Sequence, residues 1–301
     1  MTIVPTSLRR LILALLFLVI GAMPFPAWTG EHEDAGKVIR IKGSDTLIKA
    51  LKEWARIYPE KNPGMRVEVS GGGSGNGIAA LINGHVEIAS ASRLLREREF
   101  NLLSRKRVGQ IPIPHVVGRD AVSVIVHPDN PINGLALHQL TDIYSKVNRS
   151  LTWGDFGVKV PECPDQKIIP INRKNNSGTY VFFKQTIFEK REHFDSQILS
   201  MDASESLVSM VGQMPCAIGY VGMAYVTNTV KTLCISREQE ANAPCVPPTT
   251  ASTMDQAYPL ARSLYLYTLG EPRPEVAKFL EWVRGPEGRE ILTRSGYIPP
   301  P

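Results

Sequence analysis

The chain has 301 residues, 43% hydrophobic and 21% charged, with a formal net charge of +5. That length allows about two domains or lobes, and the composition is that of a globular protein with a full core. The mild positive charge is no nucleic-acid footprint, which needs Lys and Arg clustered among aromatic residues. The densest basic run, Arg93 to Arg107, carries Glu97 and Glu99 within it and reads as a solvated helix face.

In chain order, Arg9 and Arg10 precede an apolar run from Leu11 to Ile20, followed by Gly21, Ala22, Pro24, Pro26 and Ala27. A basic region, a short apolar region and a small-residue exit predict a secretory signal peptide over 1–27. The run falls short of the roughly 20 residues a membrane span requires. No Cys lies near the expected cleavage region to take a lipid anchor. The mature chain is expected to start near Trp28, exported and soluble. Losing Arg9 and Arg10 leaves 32 basic against 29 acidic side chains, a formal +3.

Val38–Ile41 reads as a strand. Thr46–Tyr58 aligns Leu47, Leu51, Trp54, Ala55 and Tyr58 at helical spacing. Met65–Val69 follows as a strand, then a glycine-rich turn, Gly71–Gly77, and a helix over Ile78–Asn83. A third strand, Glu87–Ala91, and a charged helix from Leu94 to Lys106 complete a βαβαβα run, which argues for a parallel sheet covered on both faces. A second module starts with the strand Ala121–His127 and the helix Leu137–Tyr144, followed by a polar loop, Trp153–Asp165. Next come the strand Ile168–Asn172, the helices Tyr180–Phe188 and Ser204–Gln213, and the strand Ala217–Val221. Ala261–Leu269 alternates as a strand does, and two helices, Pro274–Arg284 and Glu287–Ser295, close the chain. Extended segments near Pro112–Val117 and Tyr258–Leu266 suit crossings between lobes.

Four cysteines, Cys163, Cys216, Cys234 and Cys245, suggest disulfides in an exported protein. Three pairings are open. The short loop between Cys234 and Cys245 favours that pair, which leaves Cys163 for Cys216. Gaps of 53, 18 and 11 residues offer no zinc-type ligand pair.

Three stretches share one design, a strand end, then Gly, Ser or Thr, then a helix: Gly43-Ser44-Asp45-Thr46-Leu47, Gly71–Gly77 and Arg173–Thr179. The first amides of a helix lack internal acceptors and sit at the positive end of its dipole, so each stretch can cradle an anion. In α/β sheets ligands lie beyond the carboxyl ends of the strands, where all three fall. None is a nucleotide loop: Gly77 is followed by Ile78, and the glycines lack the dinucleotide spacing. No nucleophile elbow surrounds Ser74 or Ser177. The six histidines are scattered without metal spacing, and no paired carboxylates suggest catalysis.

These stretches, with Ala89-Ser90-Ala91-Ser92-Arg93, Ile218-Gly219-Tyr220-Val221-Gly222 and Ser295-Gly296-Tyr297-Ile298-Pro299, resemble the phosphate-binding proteins of Pst-type ABC transporters, of the periplasmic binding-protein class. The resemblance covers most of the mature chain in the right order. It implies a two-lobed α/β fold, each lobe a mixed, mostly parallel sheet flanked by helices, joined by two hinge strands. Lobe 1 would span 36–117 plus 258–301, and lobe 2 would span 118–257.

What the resemblance implies functionally is a periplasmic receptor, not an enzyme, without cofactor or metal. It would be a monomer, bind inorganic phosphate between its lobes and deliver it to a membrane-embedded ABC permease. By position, Thr46 would offer a hydroxyl and Leu47 an amide, with Ser44 adjacent. Ser74 and Gly75 would donate from the second stretch. Arg173 would pair with the oxyanion, and Ser177, Gly178 and Thr179 would cap it. A guanidinium fork matches two oxygens of a tetrahedral anion.

Many members carry an Asp where this chain has Arg93, and that carboxylate accepts the proton of hydrogen phosphate and repels sulfate. Arg93 is expected to contact the anion, with bracing against an acid as its other role. Asp45 is the candidate replacement acceptor, with a plain helix cap as its alternative. Receptors for sulfate or molybdate, or a secreted phosphatase, are the rival readings.

Overall fold

The computed structural model describes residues 37–145, 150–188, 194–195, 197–237 and 244–301. The expected signal peptide lies outside them. Among the described residues no helix is long and apolar enough to cross a membrane.

Apolar alternation builds β1, Val38–Gly43, whose Ile39 and Ile41 are buried. Helix α1, Ile48–Lys61, follows, then β2, Arg66–Ser70, α2, Ser74–Asn83, and β3, Ile88–Ala91. Both β2 and β3 pair parallel to β1, as the βαβαβ order requires. Most of these boundaries shift by one to four residues from the sequence expectation, and two of the shifts shape the site. The segment before α1 makes short turns, Leu47 N to Ser44 O and Ile48 N to Asp45 O, so the helix starts two residues late. The glycine-rich turn is partly helical: α2 starts at Ser74, and a Cβ at Gly77 would meet Lys42 O at 2.3 Å. Glycine there lets the first turn of α2 lie directly on β1.

Helix α3 spans Glu97–Lys106, shorter than expected at its start. The expected segments 112–117 and 121–127 form one 15-residue strand, β4, Pro112–Val126. Then come β5, Gly134–Ala136, α4, Leu137–Tyr144, β6, Ile169–Arg173, α5, Gly178–Ile187, and β7, Leu199–Met201. Helix α6, Ser204–Gln213, leads to β8, Ala217–Gly222, and to short strands β9, Lys231–Thr232, and β10, Cys234–Ser236. Helix α7, Thr250–Met254, precedes β11, Ala261–Leu269, and α8, Pro274–Arg284, and α9, Pro286–Arg294, end the chain. The polar loop expected over 153–165 opens with a short 3₁₀ turn, Trp153–Phe156.

The main sheet runs β2-β1-β3-β11-β4-β8-β6-β7, with β9 beside β4. It is mixed: β11 is antiparallel to β3 and β4, β8 is antiparallel to β4, and β6 is parallel to β7 and β8. The two largest apolar clusters lie apart. Ile39, Leu51, Trp54 and Phe279 belong to one core, and Val122, Tyr144, Trp153 and Phe183 to another. Strand β4 links them, pairing β11 over Pro112–Ala121 and β8 over Val122–Val126. The fold is therefore two-lobed, mixed α/β, with continuous strands crossing between lobes. Disulfides Cys163–Cys216 and Cys234–Cys245 staple the second core, in the pairing that the short loop favoured.

Candidate functional site

The three stretches converge. Thr46 Oγ1 lies 2.9 Å from Thr179 Oγ1, joining the turn after β1 to the start of α5. Gly75 N donates to Asn176 O at 3.0 Å, and Asn176 Nδ2 donates to Gly72 O at 2.9 Å, joining the glycine-rich stretch to the third. Ser92 N donates to Ser74 Oγ at 3.2 Å, which adds the end of β3. Gly178 sits between the two serines, where a Cβ would meet Ser74 Oγ at 2.2 Å and Ser92 Oγ at 2.4 Å. Only glycine fits there. The first amides of α5, at Gly178 and Thr179, have no acceptor within the helix, so the cluster gathers hydroxyls and a positive helix end in one place.

Asp45 and Arg173 bridge two of the stretches. Asp45 accepts from Gly72 N at 2.7 Å and from Arg173 Nη2 at 3.1 Å. Arg173 also donates to Ser204 Oγ at 2.8 Å, Asp202 O at 2.8 Å and Met201 O at 3.3 Å. Burial lowers the Arg173 pKa from its ordinary value, and the Asp45 carboxylate opposes that. The Thr46 turn is held by Tyr225, whose hydroxyl donates to Asp45 O at 2.7 Å, and by Tyr297, which donates to Thr46 O. Burial raises both phenols, so they remain neutral donors.

Two central residues were not anticipated from the sequence. Arg262 on β11 donates from Nη2 to Thr179 Oγ1 at 3.1 Å and to Thr46 Oγ1 at 3.3 Å, and from Nη1 to Ser92 O at 3.3 Å. Its Nε and Nη2 also reach Asp120 Oδ2 at 3.0 and 2.6 Å. Asp120, fully buried, takes Met223 N at 3.0 Å on its other oxygen. Burial pushes its carboxyl up from the ordinary value, and the Arg262 charge and hydrogen bonds pull against it. The two residues face each other directly across the β4–β11 pair. A signal did exist: Arg262 falls in phase with the buried Leu264 and Leu266 of an alternating strand, so its charge had to point inward.

The remaining expected residues divide. Ser74, Gly178 and Thr179 lie in the cluster with Thr46. Ser44 is at its edge: its amide is taken by Ser90 at 2.9 Å, and its buried hydroxyl has no partner. The Leu47 amide is spent on Ser44 O at 3.2 Å, and Ser177 Oγ caps α5 by accepting from Tyr180 N at 3.4 Å. Arg93 turns to an acid. Its Nη1 and Nη2 fork onto Glu99 at 2.8 Å each, and Nη1 also donates to Leu94 O. The basic run is thus not a uniformly solvated face, because Arg93 and Glu99 are buried within it. Burial alone would raise the Glu99 carboxyl, but the bonds from Arg93 and Arg96 win and hold it at about 2.

Fold and site together define a two-lobed α/β binding protein with a polar, cationic cluster assembled from both lobes. Residues 29–287 match the family model described as the PBP superfamily domain. The phosphate-binding protein PstS of Pseudomonas aeruginosa is 30% identical, over 98% of this chain and 96% of its own. That of Bacillus subtilis is 26% identical over 90% of this chain and 83% of its own. Among solved structures, an ABC-type phosphate transport receptor from Vibrio cholerae is 26% identical with TM-score 0.68, covering 87% of this chain and all of the other. A phosphate ABC transporter substrate-binding protein from Clostridium perfringens, solved with bound phosphate, shares the fold at TM-score 0.73 and 24% identity, covering 87% and 99%. The chain belongs to the PBP superfamily and, within it, to the family of PstS phosphate-binding proteins.

Proposed function

We propose that the protein is an extracytoplasmic receptor that binds inorganic phosphate between its lobes and passes it to an ABC permease. The observation that carries this reading is the meeting of Thr46 Oγ1, Thr179 Oγ1 and Arg262 Nη2 within 3.3 Å of one another. Each of these donors comes from a different part of the chain. One small oxyanion can hold all three, and charge-assisted bonds to it are the strong kind. The names of the relatives support phosphate as that oxyanion.

In this reading the anion ligands are Thr46, Ser74, Arg173, Gly178, Thr179 and Arg262, with Ser44, Leu47, Gly75 and Ser177 shaping the walls. Arg93 braces the cleft through Glu99. Asp45 is the acceptor that takes the proton of hydrogen phosphate, because it lies in the first anion stretch beside Thr46, and it does so with its two oxygens also accepting from Gly72 N and Arg173 Nη2. Sulfate has no proton to donate, so a lone pair would face the Asp45 carboxylate. The lobes are 36–117 with 258–301, and 118–257. The protein acts as a monomeric receptor rather than an enzyme, without a nucleic-acid partner, exported after cleavage near residue 27.

Calorimetry of phosphate against sulfate between pH 5 and 8 tests the reading. Phosphate is expected to bind and sulfate to give no saturable heat; equal affinity for the two would overturn the assignment of Asp45. Binding of neither would overturn the function.

A further inference from the structure

A cavity of about 350 Å³ adjoins the cluster at Arg262. Arg93, Arg119 and Arg262 line it with Thr186, Thr253 and Gln256, and no Asp or Glu is among the described residues that do. Two of these guanidiniums already answer buried carboxylates, Arg262 that of Asp120 and Arg93 that of Glu99. Arg119 donates to the Met254 carbonyl and has no carboxylate partner among the described residues. The cavity therefore presents one positive charge without a carboxylate partner, that of Arg119, among lining residues that include the amides of Gln185 and Gln256, while the Thr186 and Thr253 hydroxyls already donate to the Phe182 and Thr249 carbonyls. Its volume equals that of roughly a dozen waters, more than one phosphoryl group fills.

We propose that this cavity is a second oxyanion site, joined to the first through Arg262, and that it takes a phosphoryl group. The group arrives as a second inorganic phosphate or as the distal phosphoryl group of a diphosphate whose other end occupies the first site. This rests on the reading of the first site as a phosphate site. Arg119 is the charge that the second group meets.

Calorimetry on the whole chain separates the two sources, with inorganic phosphate in one arm and diphosphate in the other. The variants are Arg119→Gln and Thr186→Val, each checked for an unchanged thermal transition. A weaker second phosphate step in the wild-type protein, lost in Arg119→Gln, assigns the cavity to free phosphate. Diphosphate binding at one per chain, weakened roughly tenfold or more in Arg119→Gln, assigns it to the phosphoanhydride, since a charge-assisted bond is worth about 1.5–3 kcal/mol. In either case the first phosphate step should stay within about twofold, because Arg119 makes no contact with the first cluster. One phosphate per chain, with diphosphate affinity unchanged in both variants, overturns the second site and leaves the first intact. Failure of the wild-type protein to bind phosphate would instead strike the function itself.

Discussion

Replacing Arg262 by Gln would strand the Asp120 carboxylate in a fully buried position, left with neutral backbone amides such as that of Met223 and no counter-charge. An ionised carboxylate without its counter-charge does not stay ionised in such a place; it takes a proton. The cost of protonating an ordinary carboxyl at pH 7 is about 4 kcal/mol, from a reference pKa of about 3.9 at about 1.4 kcal/mol per unit. That value sets the scale of the expected loss, and it agrees with the roughly 3–5 kcal/mol typical of breaking a buried pair from one side. It also fixes the pH dependence. The folded variant keeps a proton that the unfolded chain gives up above about pH 4, so its stability falls as pH rises. Its deficit relative to wild type should therefore shrink by up to about 1.4 kcal/mol per unit as pH drops from 7 towards 4. Adding Asp120→Asn removes the stranded charge, so the double variant should be more stable than the sum of the two single losses implies. Urea unfolding of all four proteins at pH 5, 6 and 7 measures each quantity. A deficit below about 1 kcal/mol that does not change with pH, and additive single losses, would refute the Arg262–Asp120 argument.

Glu99→Gln should cost roughly 3 kcal/mol at pH 7, because the buried Arg93 loses its counter-charge. Since Glu99 is held at about 2, its contribution is fully present above the unfolded carboxyl range and lost as pH falls towards 2, so the gap from wild type in acid titrations should narrow only there. Gly178→Ala places a Cβ 2.2 Å from Ser74 Oγ, so calorimetry should show phosphate affinity lower by tenfold or more, on the order of 1.4 kcal/mol, with the lobes held apart. Opening the Cys163–Cys216 disulfide, which spans 53 residues, should cost about 4 kcal/mol, and opening Cys234–Cys245, which spans 11, about 3, by chain entropy. Thermal scans of the two Cys→Ser pairs should show that ranking; equal losses would point to native contacts rather than loop length.

Periodic segments were legible from the sequence. Ser204–Gln213, Ala261–Leu269 and Pro274–Arg284 fold with the boundaries their patterns give. What the sequence hid has physical causes. The strands β5, β7, β9 and β10 hold two or three residues each, too few to show a period. The glycine run before α2 looks like a turn locally, and only the approach of β1 makes its first residues helical. The three loops were visible as candidate cradles, since strand–Gly/Ser/Thr–helix order is local. The inward phase of Arg262 was readable on its strand, but its bond to Asp120 was not, because that bond exists only through the register of two strands, with the partners 142 residues apart. For Arg93 the charge alone suggests an anion contact, and the local sequence does not show its fork onto Glu99, six residues further on in a run that looks solvated.

The central claim is that a phosphate sits where Thr46, Thr179 and Arg262 meet. A crystal structure grown with phosphate tests it directly. The account predicts one tetrahedral anion within hydrogen-bond distance of Thr46 Oγ1, Thr179 Oγ1 and the Arg262 guanidinium, with Asp120 still on Arg262. Phosphate bound elsewhere, with those three groups keeping their bonds to one another, would contradict it.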